Sequence, residues 1–466
     1  MKPQHRTQIE PDDLFKEKEP LRFSSFKNYD AYCLEFFREK LSMYSSVEAI
    51  EADLDRINCY AGWDRLESPR DICVLDDSLL SMSDLRRAED CILEGRLFTE
   101  HATAGEATHL GMGSKYLFNL PAAFTLSKVA SQVSREMGKP VGPEDIIALA
   151  GCSPEDLLPL HLGMRHMAQF SFDIRRLAIR RGYDPQEVLG RQHLLVVVDD
   201  VTADPILNEF QQSNFFGFNR EKVLFMIQKS YFGINVVRGH LYYDGNSEER
   251  LHNHGQMAMQ QTEDNEIFRI GPSGRRQPLT SAALAELLQA MDDKISYNID
   301  DLGFLTGAID IPVLALALMK GEEGYDMLME IVANDPKTPQ KGGMAAYDPN
   351  LCRNVVIEGL QLSRVKNSDI QFLNRNINHY LNPYNAWSRL KEEGLNIPVV
   401  VKGKHIYGKA VQGDINFMVN TEFFTRKEVK PIQALKSRAN LPLAMRYMRA
   451  QDQQDGFRDY VGVLIS

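Results

Sequence analysis

A segment of small residues followed by a lysine could bind phosphates. Ala104, Gly105 and Gly111 lie in TEHATAGEATHLGMGSKYLF, which starts at Thr99 and carries Lys115 near its end. Backbone N–H groups in such a turn can approach a phosphate chain because few side chains block the contact. A lysine a few positions later adds a compact positive charge. The segment predicts an anion-binding loop, although a plain turn between a strand and a helix is the alternative.

Two aspartates follow a strand-like run. Asp300 and Asp301 come directly after the residues KISYNI. Ligands of open α/β sheets bind at the carboxyl ends of the strands, and Mg²⁺ takes one or two carboxylates together with substrate phosphates. The pair is therefore a candidate Mg²⁺ site. The alternative is that both side chains only cap or solvate the strand end.

A histidine pair lies earlier in the chain. His252 and His254 occur in the segment HNHG, and no third His, Cys or acidic ligand accompanies them at metal spacing. Zinc sites use three or four such ligands, so a loop that contacts a planar ring is favoured over a zinc site. Gly255 would let the backbone approach that ring closely.

The segments that must position these residues alternate between strand-like and helix-like patterns. Apolar runs at 193–198, 222–227 and 294–299 predict strands, with helical periodicity between them. This alternation favours an α/β fold with a doubly wound sheet, whose ligands bind at the carboxyl ends of the strands. A short helix is also predicted over residues 116–120, directly after Lys115.

The chain divides into three predicted regions. Residues 1–94 are mostly helical and carry no cluster of reactive residues. Residues 95–385 contain the alternating strands and helices, and residues 386–466 combine α and β patterns. We therefore expect a helical N-terminal cap, a ligand-binding domain and a small α+β C-terminal region, within the two or three domains that this length allows.

A run of arginines lies on a predicted helix. Arg175, Arg176, Arg180 and Arg181 occur in FDIRRLAIRRG. Charge runs of this kind usually form a solvated helix face, and this interpretation is favoured for the present run.

Composition and charge exclude several classes of protein. Apolar residues form 43% of the chain and charged residues 25%, which is typical of a globular protein. The net charge of −11 argues against a nucleic-acid binder, which needs a basic field. The six cysteines include no CxxC pair, and neither a signal region nor a membrane-spanning apolar run is evident. We expect a soluble cytoplasmic protein that binds no nucleic acid and no membrane.

The small-residue loop resembles the signature of the UDP-sugar pyrophosphorylases, LAGGxGTRLG followed after a short gap by Pro-Lys. The matching residues are Gly105, Thr108, Leu110, Gly111 and Lys115. Ala104 and Ala107 replace two glycines, and Ser114 replaces the proline. His109 stands where the family has a catalytic arginine.

Later segments resemble further motifs of this family in the same order. NFFG (214–217) and FMIQ (225–228) are similar to Asn-Tyr-Phe-Gly and Phe-x-x-Gln, and HNHG (252–255) is similar to a Gly-His-Gly loop that contacts uracil. NIDDL (298–302) resembles Val-Asp-Asn-Leu, whose aspartate helps to hold magnesium. FLNRNI (372–377) resembles Phe-Asn-x-Asn-Asn-Ile near the sugar.

The resemblance implies a set of site residues. One of two lysines, Lys402 or Lys404, matches a second functional lysine of the family, and Gln169 is a further candidate for a uracil contact. The implied catalytic residues are Lys115, His109 and Lys402; the nucleotide contacts are Ala104, Gly105, Thr108, Gly111, Gln169, His254 and Gly255; the sugar contact is Asn376; and the Mg²⁺ ligand is Asp300.

The resemblance also implies a fold and an activity. The fold would be α/β, like that of the nucleotide-diphospho-sugar transferases, with a Rossmann-like mixed central sheet. The activity would be Mg²⁺-dependent transfer of a uridylyl group from UTP to a hexose 1-phosphate, with glucose 1-phosphate as the first guess and a UDP-sugar as product. The alternatives are a weak or inactive sugar-nucleotide-binding protein and a glycosyltransferase of the same fold. Lys115 and its loop favour the pyrophosphorylase, because a glycosyltransferase holds no free triphosphate.

Overall fold

The computed structural model describes residues 37–104, 113–228, 234–243, 254–337, 339–340, 342–430 and 433–465. Within this part of the chain a large sheet carries helices on both faces. The strands are β1 (Cys73–Leu75), β2 (Leu97–Ala102), β3 (His193–Asp199), β4 (Val223–Gln228), β5 (Ile234–Val237), β6 (His240–Tyr243), β7 (Ile267–Ile270), β8 (Arg276–Pro278), β9 (Asp293–Asn298), β10 (Met327–Ala333), β11 (Met344–Asp348), β12 (Arg353–Ile357), β13 (Phe372–Tyr380), β14 (Val399–Lys402), β15 (His405–Gly408) and β16 (Thr421–Arg426).

α-Helices of the described residues pack around this sheet. They are α1 (Val47–Ala52), α2 (Leu54–Asn58), α3 (Met82–Leu93), α4 (Leu120–Ala123), α5 (Leu126–Met137), α6 (Pro143–Ala150), α7 (Leu162–Arg181), α8 (Pro185–Arg191), α9 (Ala203–Gln212), α10 (His254–Gln260), α11 (Ser281–Gln289), α12 (Ile311–Glu322), α13 (Pro383–Glu393), α14 (Leu441–Asp452) and α15 (Phe457–Leu464). None of the described helices is long and apolar enough to cross a membrane.

The main sheet has the strand order β1-β16-β10-β13-β9-β2-β3-β4-β7-β8, and β11 and β12 extend it from β13. Strands β9, β2, β3 and β4 are parallel neighbours, and β10, β16 and β1 form a second parallel set. Strand β13 runs antiparallel between the two sets. The carboxyl ends of the parallel strands therefore lie along one edge, where ligand sites of open α/β sheets form.

The expected fold class is confirmed. The three predicted strands are β3, β4 and β9, each within one residue of its predicted ends. Residues Leu194–Val198 of β3 are fully buried because alternate side chains face opposite layers of helices. Leu194, Val196 and Val198 pack in the core with α3, α7 and α9, whereas Leu195 and Val197 pack with α11.

Both flanking regions contribute to the main sheet. Strand β1 lies within residues 1–94 and pairs with β16, which lies within residues 386–466. The division of the chain at residues 94 and 385 stays a prediction. A second sheet, with the order β14-β15-β5-β6, combines strands from the middle and the C-terminal part of the chain.

Strand β2 enters the sheet through a turn that requires glycine. Helix α3 begins with a capping box in which Ser81 and Asp84 each accept the other's backbone N–H. Gly95 follows the helix at φ +72°, and a Cβ there would lie 2.4 Å from the Arg191 carbonyl oxygen. A glycine therefore sets the angle between α3 and β2.

Candidate functional site

Two residues predicted for the site form an ion pair at the carboxyl edge of the sheet. Strands β2 and β9 are neighbours, with Ala102 opposite Asn298. The loop after β2 carries Lys115, and the turn after β9 carries Asp300. Lys115 Nζ donates to Asp300 Oδ2 at 2.8 Å, and the two side chains are 17% and 8% exposed.

The position of Lys115 is fixed by the next residue. The ring of Tyr116 is fully buried, and its hydroxyl donates to Glu209 Oε1 on α9 at 2.8 Å. Gly163 donates its N–H to the Tyr116 carbonyl oxygen at 2.8 Å. A Cβ on Gly163 would lie 2.3 Å from the tyrosine ring. The start of α7 thus holds Tyr116 and, through it, the backbone of Lys115.

The prediction of a helix directly after Lys115 is wrong. Residues 115–117 form a bend and a turn, and α4 begins only at Leu120, where the Asn119 side chain caps the N–H of Ala122. Of the apolar residues that suggested a helix, Tyr116, Phe118 and Leu120 are buried in the core, whereas Leu117 is exposed.

Asp301 follows Asp300 in the same turn, and its carboxylate accepts from a backbone N–H group rather than from a lysine. Burial raises the pKa of its carboxyl group to about 6, and the neighbouring charge of Asp300 acts in the same direction. The N–H of Gly303 donates to Asp301 Oδ1 at 2.9 Å and opposes this rise. The turn therefore holds one carboxylate that is paired with a lysine and one that ionises only above mildly acidic pH.

Arg375 was missed by the sequence analysis. Its Nη1 donates to Glu330 Oε1 at 2.6 Å, and Arg426 Nε donates to the same oxygen at 2.9 Å. The charge of Arg375 lowers the pKa of Asp301, against the larger effect of burial. Its position between the two asparagines of FLNRNI was the available signal, since that segment was already assigned to the site.

Asn376 occupies a bulge in β13 at the same edge. The pairing with β10 shifts between Met329 and Ile331, which face Asn378 and Asn374, so the residues between them arch out of the ladder. Asn376 has φ +60°, a backbone conformation that asparagine tolerates better than most residues. Its side chain is exposed, as a sugar contact would require.

Gln169 lies elsewhere. It is fully buried on α7, where its Nε2 donates to Asp173 Oδ1 and its Oε1 accepts from Gln451 and Gln454. Its donors and acceptor are thus engaged by Asp173 on the same helix and by two glutamines near the C-terminus. We correct the expectation of a uracil contact from this residue, because its amide is sealed off from any ligand.

Gly255 has a structural reason to be glycine. It is the second residue of α10, and its N–H donates to the Ala410 carbonyl oxygen at 3.1 Å. A Cβ at this position would lie 2.3 Å from the Ala410 carbonyl carbon. The close approach expected at Gly255 is therefore to the protein's own backbone rather than to a planar ring. His254 begins α10, and its side chain lies outside the described structure.

The remaining predicted residues fall into two groups. Lys402 ends β14 in the small sheet, where it is exposed and faces His405 across a hairpin turn. Ala104 is 4% exposed and packs in the core just after β2. The predictions that lie outside the described residues are Gly105, Thr108, His109 and Gly111.

The donor set at the edge suits Mg²⁺ better than a transition metal. In the described part of the chain no three His, Cys, Asp or Glu side chains are grouped as metal ligands. Mg²⁺ needs fewer protein ligands, because substrate phosphates and water complete its shell. Asp300 offers carboxylate oxygens, which are hard ligands, at the carboxyl edge of the sheet. One of these oxygens, Oδ2, also accepts from Lys115 Nζ.

Solved UDP-sugar pyrophosphorylases have a similar fold. The uridine diphosphate N-acetylglucosamine pyrophosphorylase from Trypanosoma brucei superposes with a TM-score of 0.53 at 15% identity, over 92% of this chain and 85% of that one. A mutant UDP-glucose pyrophosphorylase from Leishmania major, in complex with UDP-glucose, gives 0.50 at 15% identity, over 89% and 78%. No family model and no curated protein matches this chain by sequence. The protein has the fold of the UDP-sugar pyrophosphorylases.

Proposed function

We propose that this protein is a nucleotidyltransferase that makes a UDP-sugar and pyrophosphate from UTP and a hexose 1-phosphate. The observation that carries the proposal is the Lys115–Asp300 ion pair at the carboxyl edge of the sheet. Both residues were assigned to the site from separate motifs of the chain. The fold supports the same reaction class, and glucose 1-phosphate is the first sugar phosphate to test.

The chemistry needs no acid–base pair. An oxygen of the sugar phosphate is already anionic near neutral pH and attacks the α-phosphorus of UTP. A new P–O bond forms, the bond to the β-phosphate oxygen breaks, and pyrophosphate leaves with that electron pair. No proton is transferred, so the protein must mainly align the two substrates and neutralise charge.

Lys115 is the residue that would neutralise the transferring phosphate. Before the substrates bind, its ammonium group is held by Asp300 Oδ2, so it is oriented toward the edge of the sheet. A preorganised charge of this kind stabilises a transition state more than a mobile one does. His254 at the start of α10, together with the loop containing Gly105 and Thr108, would hold the nucleotide, and Asn376 would contact the sugar.

Mg²⁺ is the cofactor that fits this site. Asp300 would hold it together with the substrate phosphates, and the ion would supply charge neutralisation for the departing pyrophosphate. UTP binding should then tighten when Mg²⁺ is added, and Asp300→Asn should remove most of that gain. Equal Mg²⁺-dependent binding by parent and variant would exclude Asp300 as the ligand.

A pyrophosphate-release assay tests the proposed reaction. UTP, ATP, CTP and GTP are each combined with glucose 1-phosphate or N-acetylglucosamine 1-phosphate in the presence of Mg²⁺. We expect release with UTP and at least one of the sugar phosphates. The absence of release with every combination would overturn the proposal.

A second candidate function is a sugar-nucleotide-binding protein. It is favoured by His109, which replaces the arginine that the resemblance marks as catalytic. Binding of UDP-glucose or UDP-N-acetylglucosamine by calorimetry, without pyrophosphate release in any combination, would establish this candidate instead.

A further inference from the structure

The structure contains a cavity whose lining includes neither Lys115 nor Asp300. Its volume is about 620 Å³, within the range of small-molecule sites. Helices α7 and α15 form its walls, together with the turn before β4. Its lining includes Arg175, Arg176, Ile179, Asn214, Asp459 and Tyr460.

This cavity lies at the opposite edge of the main sheet from the candidate active site. Asn214 and Gly217 precede β4, and Gln186 on α8 precedes β3. These lining residues therefore stand at the amino ends of the parallel strands. Lys115 and Asp300 stand at the carboxyl ends. A ligand in the cavity would be separate from the substrates of the proposed reaction.

The four arginines on α7 form two pairs with different surroundings. Arg180 and Arg181 form ion pairs with Glu89 at the surface, and Arg181 also pairs with Asp90. Arg175 and Arg176 line the cavity instead. Among the residues that the structure describes, no carboxylate lies within ion-pair distance of either guanidinium group.

Both cavity arginines lie over aromatic rings. The guanidinium carbon of Arg175 is 5.1 Å from the centre of the Tyr460 ring, and that of Arg176 is 5.6 Å from the centre of the Phe172 ring. Stacking on a ring restrains the planar guanidinium group while its N–H donors still face outward. The cavity thus combines apolar walls, at Ile179 and the two rings, with two cationic donors.

A strained turn builds one wall of the cavity. Asn214, Phe215, Phe216 and Gly217 all have positive φ, between +45° and +82°. This conformation costs roughly 1–2 kcal/mol for each bulky residue, and the two phenylalanines are held in it by burial at 5% and 0% exposure. The turn leaves Asn214 exposed at the cavity. Strain of this kind is concentrated at ligand sites in proteins.

We propose that this cavity binds a small anion that carries a planar ring, of the class of the nucleoside monophosphates. The phosphate would pair with Arg175 and Arg176, and the ring would lie against the apolar wall at Ile179. The Asn214 amide would donate and accept hydrogen bonds at the polar edge of the ligand, and the carboxylate of Asp459 would accept one. The site goes beyond the proposed function, because it uses none of the residues of the candidate active site.

Calorimetry with four nucleoside monophosphates tests the proposal. AMP, GMP, CMP and UMP are each titrated into the full chain, next to the matching nucleosides and inorganic phosphate. We expect at least one monophosphate to bind, and its nucleoside and phosphate alone to bind at least about tenfold more weakly. The double variant Arg175→Gln/Arg176→Gln should weaken binding by at least about tenfold.

Two further variants make the result specific. Arg180→Gln is the matched control on the same helix and should leave the affinity unchanged, because its partner is Glu89. Ile179→Glu places a carboxylate four residues after Arg175, where it should pair with that arginine and exclude the anion. Ile179 is 62% exposed, so this change should leave the fold intact.

Clear outcomes would overturn the proposal. One is that no monophosphate binds; another is that binding persists unchanged in both Arg175→Gln/Arg176→Gln and Ile179→Glu. Loss of binding in Lys115→Ala, with no effect of the arginine changes, would place the nucleotide at the candidate active site instead. Binding of phosphate as tight as that of the nucleotides would show only a general attraction of anions. None of these outcomes depends on the pyrophosphate-release assay.

Discussion

Lys115 and Asp300 are 185 positions apart in the chain, yet the lysine ammonium group donates to the aspartate carboxylate at 2.8 Å. The pair joins the loop after β2 to the turn after β9, the two neighbouring parallel strands at the centre of the main sheet. Both side chains are mostly buried, so water compensates little of their charge. Each charge is compensated mainly by the other member of the pair. Stability and the proposed activity should therefore depend on the same two residues.

Lys115→Ala should lower both stability and activity. The variant leaves a buried carboxylate without its partner, which should cost about 2 kcal/mol in the free energy of unfolding, less than for a fully buried pair. It should also cost about 2 kcal/mol or more in transition-state stabilisation. Urea unfolding and the pyrophosphate assay measure the two effects. In Lys115→Ala/Asp300→Asn, stability should partly recover while activity does not.

Lys427→Ala provides the control for this ion pair. Lys427 pairs with Asp76, but its side chain is 62% exposed, and exposed pairs contribute at most about 1 kcal/mol. An equal loss of stability in Lys115→Ala and Lys427→Ala would contradict the role of burial. Full activity of Lys115→Ala would contradict the phosphate-binding role of its loop.

Asp301→Asn should stabilise the protein at neutral pH but not at acidic pH. Burial raises the pKa of Asp301 from 3.8 to about 6, so the folded state binds its proton more tightly than the unfolded state. The stability that this proton contributes is present at low pH and is lost as pH rises from about 4 to 6. The difference in the free energy of unfolding between the variant and the parent should therefore be about 2–3 kcal/mol more favourable to the variant at pH 8 than at pH 4.

Urea unfolding of parent and Asp301→Asn at pH 4 and pH 8 measures this difference. The control is Asp77→Asn, at an exposed position in a surface turn. Its free energy of unfolding should differ from that of the parent by the same amount at pH 4 and at pH 8. A gain for Asp301→Asn that is the same at both pH values would show that ionisation of Asp301 is not its cause.

Gly255→Ala should destabilise the protein even in the absence of any ligand. The added methyl group would lie 2.3 Å from the Ala410 carbonyl carbon, and backbone on both sides prevents an easy shift. We expect a loss of about 2 kcal/mol or more, as for overpacked cores. If Gly255 serves only to approach a planar ring, the free energy of unfolding should stay unchanged and only nucleotide affinity should fall.

Gly190→Ala is the matched control for this experiment. Gly190 is also helical, near the end of α8, and a Cβ there would meet no described atom within 4 Å outside the backbone of its own helix and its chain neighbours. Alanine at such a position should raise stability by about 0.5–1 kcal/mol, because it restricts the unfolded chain. A similar effect of both substitutions would contradict the packing role of Gly255.

His109→Arg should increase turnover in the proposed reaction. Arginine keeps its charge at all pH values and can bind two phosphate oxygens at once, whereas histidine loses its charge above a pKa that is near 6.5 when unperturbed. The parent rate should therefore fall as pH rises through that range, and the arginine variant should show a flatter profile. The pyrophosphate assay between about pH 6 and 9 measures both effects. An unchanged rate and profile would place His109 away from the phosphates.

The sequence predicted what local patterns encode. Strands β3 and β4 were predicted correctly because apolar runs ending in polar residues are local signals, and Lys115 and Asp300 were assigned to the candidate site because each belongs to a short motif. What remained hidden depends on distant partners. Gln169 meets Gln451 and Gln454 more than 280 positions later, and Gly255 meets Ala410. Neither contact leaves a signal near the residue itself.

Short strands and networks of charged residues were not predicted, because they too depend on partners that are distant in the sequence. Strand β1 has three residues and is a strand only because β16 offers it a parallel partner. Arg375 was visible as a charge, but its bond to Glu330 arises from the antiparallel pairing of β10 and β13, and its effect on Asp301 from the position of that pair beside the turn after β9. Such relationships follow from topology, which no short window of the sequence contains.

His166→Phe should make the protein more resistant to acid. His101 and His166 are buried beneath the candidate site, and burial lowers the pKa of each to about 3. The His166 ring is stacked on Phe304 at 4.7 Å between ring centres, and neither of its nitrogens has a hydrogen-bond partner among the residues that the structure describes. Unfolding therefore lets both histidines bind protons, so their contribution to stability is present above about pH 6.5 and is lost as pH falls toward 3.

The expected size of this effect is set by proton linkage. Each histidine contributes about 1.4 kcal/mol per pH unit to the slope of the unfolding free energy below about pH 6. Phenylalanine keeps the flat ring and its contact with Phe304 but binds no proton, so the slope of His166→Phe should be smaller than that of the parent by about this amount. Urea unfolding at several pH values from about 4.5 to 7 measures the slope. His240→Gln, at an exposed strand position, should leave it unchanged. Parallel curves for His166→Phe and the parent would show that His166 is not kept neutral by burial in the folded protein.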